Sequence, residues 1–211
     1  SEEGILTRVR KWITEEKAGF LYEALENLDA SLSEICEAIV RYHSLHLDDD
    51  MLPRPSRTGL QVALLRRFFS DHIEFIRHAK DFADLRSFYD LVQHTICPPR
   101  GHGKLGGKSA GLFVAANIVA KSVEFADTLA GIKVPKSWYV TSDAHQLFIR
   151  HNKMEDIYNF KYRPIDQVRL EYPHVVQVFK NSSFPPEIVQ GLSLALDDFE
   201  QTMPKGMSLR R

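Results

Sequence analysis

Cysteine is almost missing from this chain: Cys36 and Cys97 are the two present among 211 residues, and they form no C-x-x-C pair. That scarcity excludes a disulfide framework and a cysteine zinc site, and suits a reducing compartment. An excess of charge of one sign is missing too. The 27 basic and 28 acidic residues leave a formal charge of −1, so no global field recruits nucleic acid. No run of 18 apolar residues occurs, and the acidic start Ser1-Glu2-Glu3-Gly4 lacks the basic and apolar regions of a secretion signal. Glycine and proline, 11 and 10 residues, are too few for a collagen-like or low-complexity chain. With 44% hydrophobic and 26% charged residues, the chain can bury a core. It reads as a soluble, cytoplasmic, globular protein of one domain or two small ones, with no membrane or nucleic-acid partner.

Charge is unevenly spread. Residues 1–100 carry 13 basic and 17 acidic side chains, and residues 101–211 carry 14 and 11. The change falls beside a cluster of breakers, Cys97-Pro98-Pro99-Arg100-Gly101-His102-Gly103, which reads as a loop and a boundary. Before it the pattern is helical. Phe20, Ala24, Leu28, Leu32, Ile35, Ile39 and Tyr42 recur at three- and four-residue steps from Thr14 to His46. Similar stripes run from Leu60 to Ala79 and from Asp84 to Ile96. A helical module over residues 1–96 follows, because such stripes are hidden only against one another.

After the breakers the pattern alternates. A buried helix spans Ser109 to Ser122, and Ser137-Trp138-Tyr139-Val140-Thr141 has the aromatic and β-branched content of a strand. Ser142 suits an N-cap for a helix from Asp143 to His151. Pro164 and Pro185-Pro186 open two more, to about Lys180 and Phe199. The expected class is α+β, predominantly α, and the tail Met207-Ser208-Leu209-Arg210-Arg211 reads as a clipped strand.

The segment Gly101-His102-Gly103-Lys104-Leu105-Gly106-Gly107-Lys108-Ser109-Ala110-Gly111 carries the strongest chemical signal. Glycines let backbone N–H groups face an anion, the following helix offers its positive end, and a lysine adds a point charge. A P-loop would need glycine where His102 stands, and a strand where Cys97-Pro98-Pro99 stands. On residue chemistry alone, phosphate binding and a glycine-rich connector with a solvated lysine both remain open.

Leu105-Gly106-Gly107-Lys108-Ser109-Ala110-Gly111-Leu112, followed by Val134-Pro135-Lys136-Ser137-Trp138-Tyr139-Val140, resembles the N-terminal stretch of the pyruvate phosphate dikinase and phosphoenolpyruvate synthase family. The segment from Val178 to Phe199 resembles a branch of phosphoenolpyruvate/pyruvate-binding proteins that also has a helical N-terminal extension. The resemblance implies that residues 97–211 are part of an ATP-grasp-like nucleotide-binding domain. It implies ATP as the ligand, held by Gly106, Gly107 and Lys108, with Arg210 or its neighbour Arg211 at the place of a family arginine that meets the nucleotide. It further implies Mg²⁺ bound only with the remainder of the domain. The phosphohistidine and pyruvate-binding domains of the parent polypeptide would be the partners. The chain then reads as a fragment or truncated homologue of an ATP-dependent phosphotransferase, inactive alone. The alternative is a non-catalytic helical interaction or regulatory module.

Other residues suggest less. His43 and His46 beside Asp48, Asp49 and Asp50 offer metal-ligand types, but such a cluster is more often a solvated helix end, where an imidazole favours the negative pole. Arg66-Arg67 reads as solvated charge, Asp197 and Asp198 as a solvated face, and one of Trp138 and Tyr139 as core. No Ser/His/Asp or Cys/His triad emerges.

Overall fold

The computed structural model describes residues 2–46 and 52–202; the tail with Arg210 and Arg211, and Asp48 to Asp50, lie outside the described residues. Backbone contacts divide the chain into two compact units, Ser1–Ser142 and Asp143–Arg211.

The first unit begins with α1 (Glu2–Glu26), α2 (Leu32–Ser44), α3 (Arg54–Phe68), α4 (Ile73–Ala79) and α5 (Leu85–Gln93). Two of the expected long stripes are therefore broken. The Asn27 side chain accepts the Asp29 N–H at 3.0 Å, and Ser31 forms a capping box with Glu34, which starts α2 afresh. Leu28, in phase with the stripe, is 83% exposed. Between α3 and α4 the Ser70 hydroxyl accepts the His72 N–H at 3.1 Å, and Ile73 is left exposed. Local side-chain bonds to the backbone outcompeted continuation of the helix at both places.

The chain continues through β1 (Thr95–Ile96), α6 (Gly107–Lys121), a 3₁₀ turn at Val123–Phe125, α7 (Ala126–Leu129) and β2 (Tyr139–Val140). The strands pair in parallel, Thr95 with Tyr139 and Ile96 with Val140. Strand, α6 and strand thus form a small βαβ crossover, the connection that parallel pairing requires. β1 was hidden in the sequence as the last turn of a helical stripe; the Thr95 hydroxyl still bonds the Leu91 carbonyl at 2.7 Å. It also supplies the strand before the glycine loop that Cys97-Pro98-Pro99 could not.

One core holds α6 to the preceding helices. Leu21, Ile35, Leu60, Leu64, Leu65, Phe68 and Phe88 are fully buried, and Leu105 and Phe113 join the same cluster. The Phe113 ring lies 5.0 Å from that of Phe69 and 5.1 Å from that of Phe88. Aromatic pairs at such spacings add to the area term.

The second unit contains α8 (Asp143–His151), a 3₁₀ segment at Glu155–Tyr162, α9 (Ile165–Asn181) and α10 (Pro186–Thr202). Both proline-opened helices start where proline chemistry places them. Pro173 lies inside α9, where its missing N–H interrupts the ladder. Phe148 packs on Phe179 and Phe184, and Asn152 donates to the Ser183 carbonyl at 3.0 Å, tying α8 to the turn before α10. The class is α+β, predominantly α.

Candidate functional site

The glycine segment is fixed in its first half and open in its second. The Gly101 carbonyl accepts the Leu32 N–H at 2.8 Å, and the Leu105 N–H donates to the Phe68 carbonyl at 2.7 Å. The Lys104 carbonyl accepts the Ser142 N–H at 3.0 Å. Leu105 is buried, and Arg100 takes the left-handed backbone, φ 60°. Lys104 pairs with Asp71, which also accepts from Arg66 at 3.0 Å. These two cations hold the Asp71 carboxyl below its ordinary range, Lys104 contributing more. Lys104 is thus a clasp between the loop and the α3–α4 connection.

Gly106, Gly107 and Lys108 are exposed. Gly106 is the N-cap of α6, with φ −71° and ψ 167° and no side-chain cap bond, and the first turn contains no acidic residue. The first ladder bond runs from the Ala110 N–H to the Gly106 carbonyl at 3.0 Å. The N–H groups of Gly107, Lys108 and Ser109 therefore lack intrahelical acceptors. A β-carbon added at Gly106 or Gly107 would meet nothing within 4 Å. Neither glycine is needed for a positive φ or for internal packing; what their hydrogens leave is clear approach to the helix end. An uncapped positive pole with three outward N–H groups and a lysine can hold a phosphate.

A cavity of about 360 Å³ lies between α5, α6 and the segment entering β2, with Leu91, Phe113, Asn117 and Tyr139 among its walls. Tyr139 packs against the core, and burial raises its phenol pKa. Trp138 meets His94 edge-on at 5.3 Å. A second cavity, about 550 Å³, opens beside His102 and Lys104.

The remaining sequence candidates are engaged structurally. Arg66 bonds Asp71 and Arg67 donates to the Ala30 carbonyl, so the pair is not simply solvated: it ties α3 to two connections. His43 stacks on Tyr89 at 3.6 Å. Among the described residues no group of three or more His, Cys, Asp or Glu could hold a metal ion. Cys36 and Cys97, distant in sequence, are neighbours. The Cys97 hydrogen bond, then burial, pushes the Cys36 thiol far above its ordinary pKa. Spacing in the sequence gave no sign of that pairing.

Residues 102–210 match the family model of the pyruvate phosphate dikinase AMP/ATP-binding domain. The chain belongs to the pyruvate phosphate dikinase family. The match takes in the glycine loop from His102, α6, β2 and the second unit, while residues 1–101 lie outside it. No curated protein and no solved structure matches the chain. No single described helix is long and apolar enough to cross a membrane.

Proposed function

We propose that the N-terminus of α6 receives the phosphates of ATP, with the N–H groups of Gly107, Lys108 and Ser109 as donors and Lys108 as the counter-charge. The observation that carries this reading is the conjunction of an uncapped helix end, clear space over Gly106 and Gly107, and an exposed lysine with no ion pair among the described residues. That conjunction falls inside the family's AMP/ATP-binding domain. Arg210, or its neighbour Arg211, is the second nucleotide contact in this reading, on the strength of the sequence resemblance.

The chemistry we assign is phosphoryl transfer from ATP, of the pyruvate phosphate dikinase and phosphoenolpyruvate synthase kind. Residues 97–211 form the ATP-grasp-like portion and residues 1–96 an added helical module. Holding a ground-state phosphate does not lower the barrier to its transfer. Transfer needs charge neutralisation, commonly by Mg²⁺ on carboxylates, and an acceptor in line. No Mg²⁺ ligand set is assigned within this chain, and those steps belong to the parent protein.

Lys108→Ala tests the reading. A charge-assisted hydrogen bond is worth about 1.5–3 kcal/mol, or roughly 10- to 100-fold in affinity. ATP binding by calorimetry should weaken by that factor while the thermal midpoint stays within a degree or so. Equal affinity in mutant and parent would refute the assignment and favour the non-catalytic module.

A further inference from the structure

Cys36 and Cys97 are the only cysteines of the chain, and the fold sets them side by side with the Cys36 thiol hydrogen-bonded to Cys97. Neither is in a disulfide. Both pack half-buried against the main core of the first unit, so neither is sealed from solvent.

Backbone bonds hold the pair together independently of the thiols. Cys97 directly follows β1, whose Ile96 carbonyl accepts the Thr141 N–H at 3.1 Å. Just beyond it, the Gly101 N–H donates to the Pro98 carbonyl at 3.0 Å, and the Gly101 carbonyl accepts the Leu32 N–H at 2.8 Å. Leu32 is the first residue of α2, which the Ser31–Glu34 capping box starts, and Cys36 lies one turn on. The turn after Cys97 is thus tied to the helix turn before Cys36. Two reacting groups fixed in this way react as a unimolecular pair.

We propose that Cys36 and Cys97 form a reversible disulfide when a low-molecular-weight disulfide of the glutathione class is in excess, stapling α2 to the segment that leaves β1. In reducing compartments such bonds are transient and redox-sensing. The Cys97 Sγ, as thiolate, attacks one sulfur of the small disulfide and expels a small thiolate, which takes up the proton that Cys97 lost. The Cys36 Sγ then attacks the Cys97 Sγ and expels the second small thiol, which takes the Cys36 proton. The protein thiols lose two electrons and the small disulfide gains them. The order follows from the pair. A thiol that donates to its neighbour stabilises the neighbour's thiolate, so Cys97 ionises first. The bond to Cys97, then burial, holds the Cys36 thiol protonated. Once Cys97 is joined to the small thiol it carries no thiolate, and the larger restraint on Cys36 is gone.

The test is equilibration of the full chain with graded ratios of reduced and oxidised glutathione, followed by acid quenching, alkylation and mass spectrometry, alongside Cys36→Ser and Cys97→Ser. Oxidation of the parent should remove two hydrogens and join the tryptic peptides that contain Cys36 and Cys97. It should raise the thermal midpoint by roughly 5–15 °C, because closing a long loop constrains the unfolded chain. Dithiothreitol should reverse both changes. Cys36→Ser should stop at the mixed disulfide on Cys97, and Cys97→Ser should take up glutathione at least tenfold more slowly. Cys36→Ala and Cys97→Ala replace any serine variant that does not fold. Unlinked cysteines in excess oxidised glutathione overturn the proposal, as does linkage that forms only in denaturant or between chains. A lowered midpoint in the oxidised chain, or equal rates in the two variants, also overturns it.

Discussion

Gly107→Ala separates a ligand role for the glycine from a structural one, because the two roles move stability and binding differently. Gly107 is the first residue of α6, its φ lies outside the left-handed region, and a β-carbon there meets nothing within 4 Å. Nothing in the fold opposes the methyl group. Alanine restricts the unfolded chain and favours the helix by roughly 0.4–1 kcal/mol. At about 2–4 °C per kcal/mol for a chain of this size, the thermal midpoint should rise by about 1–4 °C. In the proposed reading, the same methyl stands where the phosphate approaches the N–H groups of Lys108 and Ser109. Loss of one charge-assisted bond there weakens ATP by roughly 10-fold or more. Gly19→Ala is the control: it too is helical with open space around its α-carbon, so it should stabilise similarly and leave ATP binding untouched. Scanning calorimetry and ATP titration on the three proteins decide the matter. If Gly107→Ala and Gly19→Ala bind ATP equally, the loop is a connector and the phosphate reading is wrong.

Asp71→Asn should lower stability by about 1 kcal/mol or less at pH 7, since Asp71 and Arg66 are each 59% exposed and surface pairs contribute little. The folded pKa of Asp71 is depressed. Its contribution is therefore complete above the unfolded value near 3.8 and disappears as pH falls through the lower folded value. Chemical denaturation from pH 7 downward should show the mutant's deficit constant above about 3.8 and shrinking as the pH falls below that value. Cys36 should resist iodoacetamide in the native protein at pH 8 and react on unfolding, because its thiol is held protonated; labelling as fast as a free thiol would contradict the packing described. Trypsin should cleave at Lys133 or Lys136, exposed between α7 and β2, before Arg100 or Lys104, whose loop is anchored at Gly101 and Leu105. The opposite order by mass spectrometry would show those anchors to be weak.

The glycine run and the residues flanking it were legible because their signal is local. Gly106 and Gly107 mark the start of α6, and Pro164 and Pro186 mark α9 and α10, through the backbone preferences of one or two residues. The predominantly helical class followed from apolar spacing, which is a property of each segment by itself. Spacing failed where a local bond ended a helix in mid-stripe, at Asn27 and at Ser70. It failed again at Thr95–Ile96, where a strand of two residues is too short to have a period. The family was likewise readable, since Gly106-Gly107-Lys108 and the segment after it retain their order along the chain.

Tertiary structure alone decided what those residues are worth. It left the space above Gly106 and Gly107 clear, engaged Lys104 with Asp71 and left Lys108 exposed. It set Phe113 of α6 among Phe69 and Phe88, so the glycine loop is anchored in the same core as the helices before it. It brought Cys36 to Cys97 and gathered Arg54, Lys80 and Arg86 around one cleft. The sequence determines conformation over a few residues, where neighbours in the chain compete for the same backbone groups. Which charge meets which, and which helix end stays open, depends on residues dozens of positions apart, and no pattern along the chain records that.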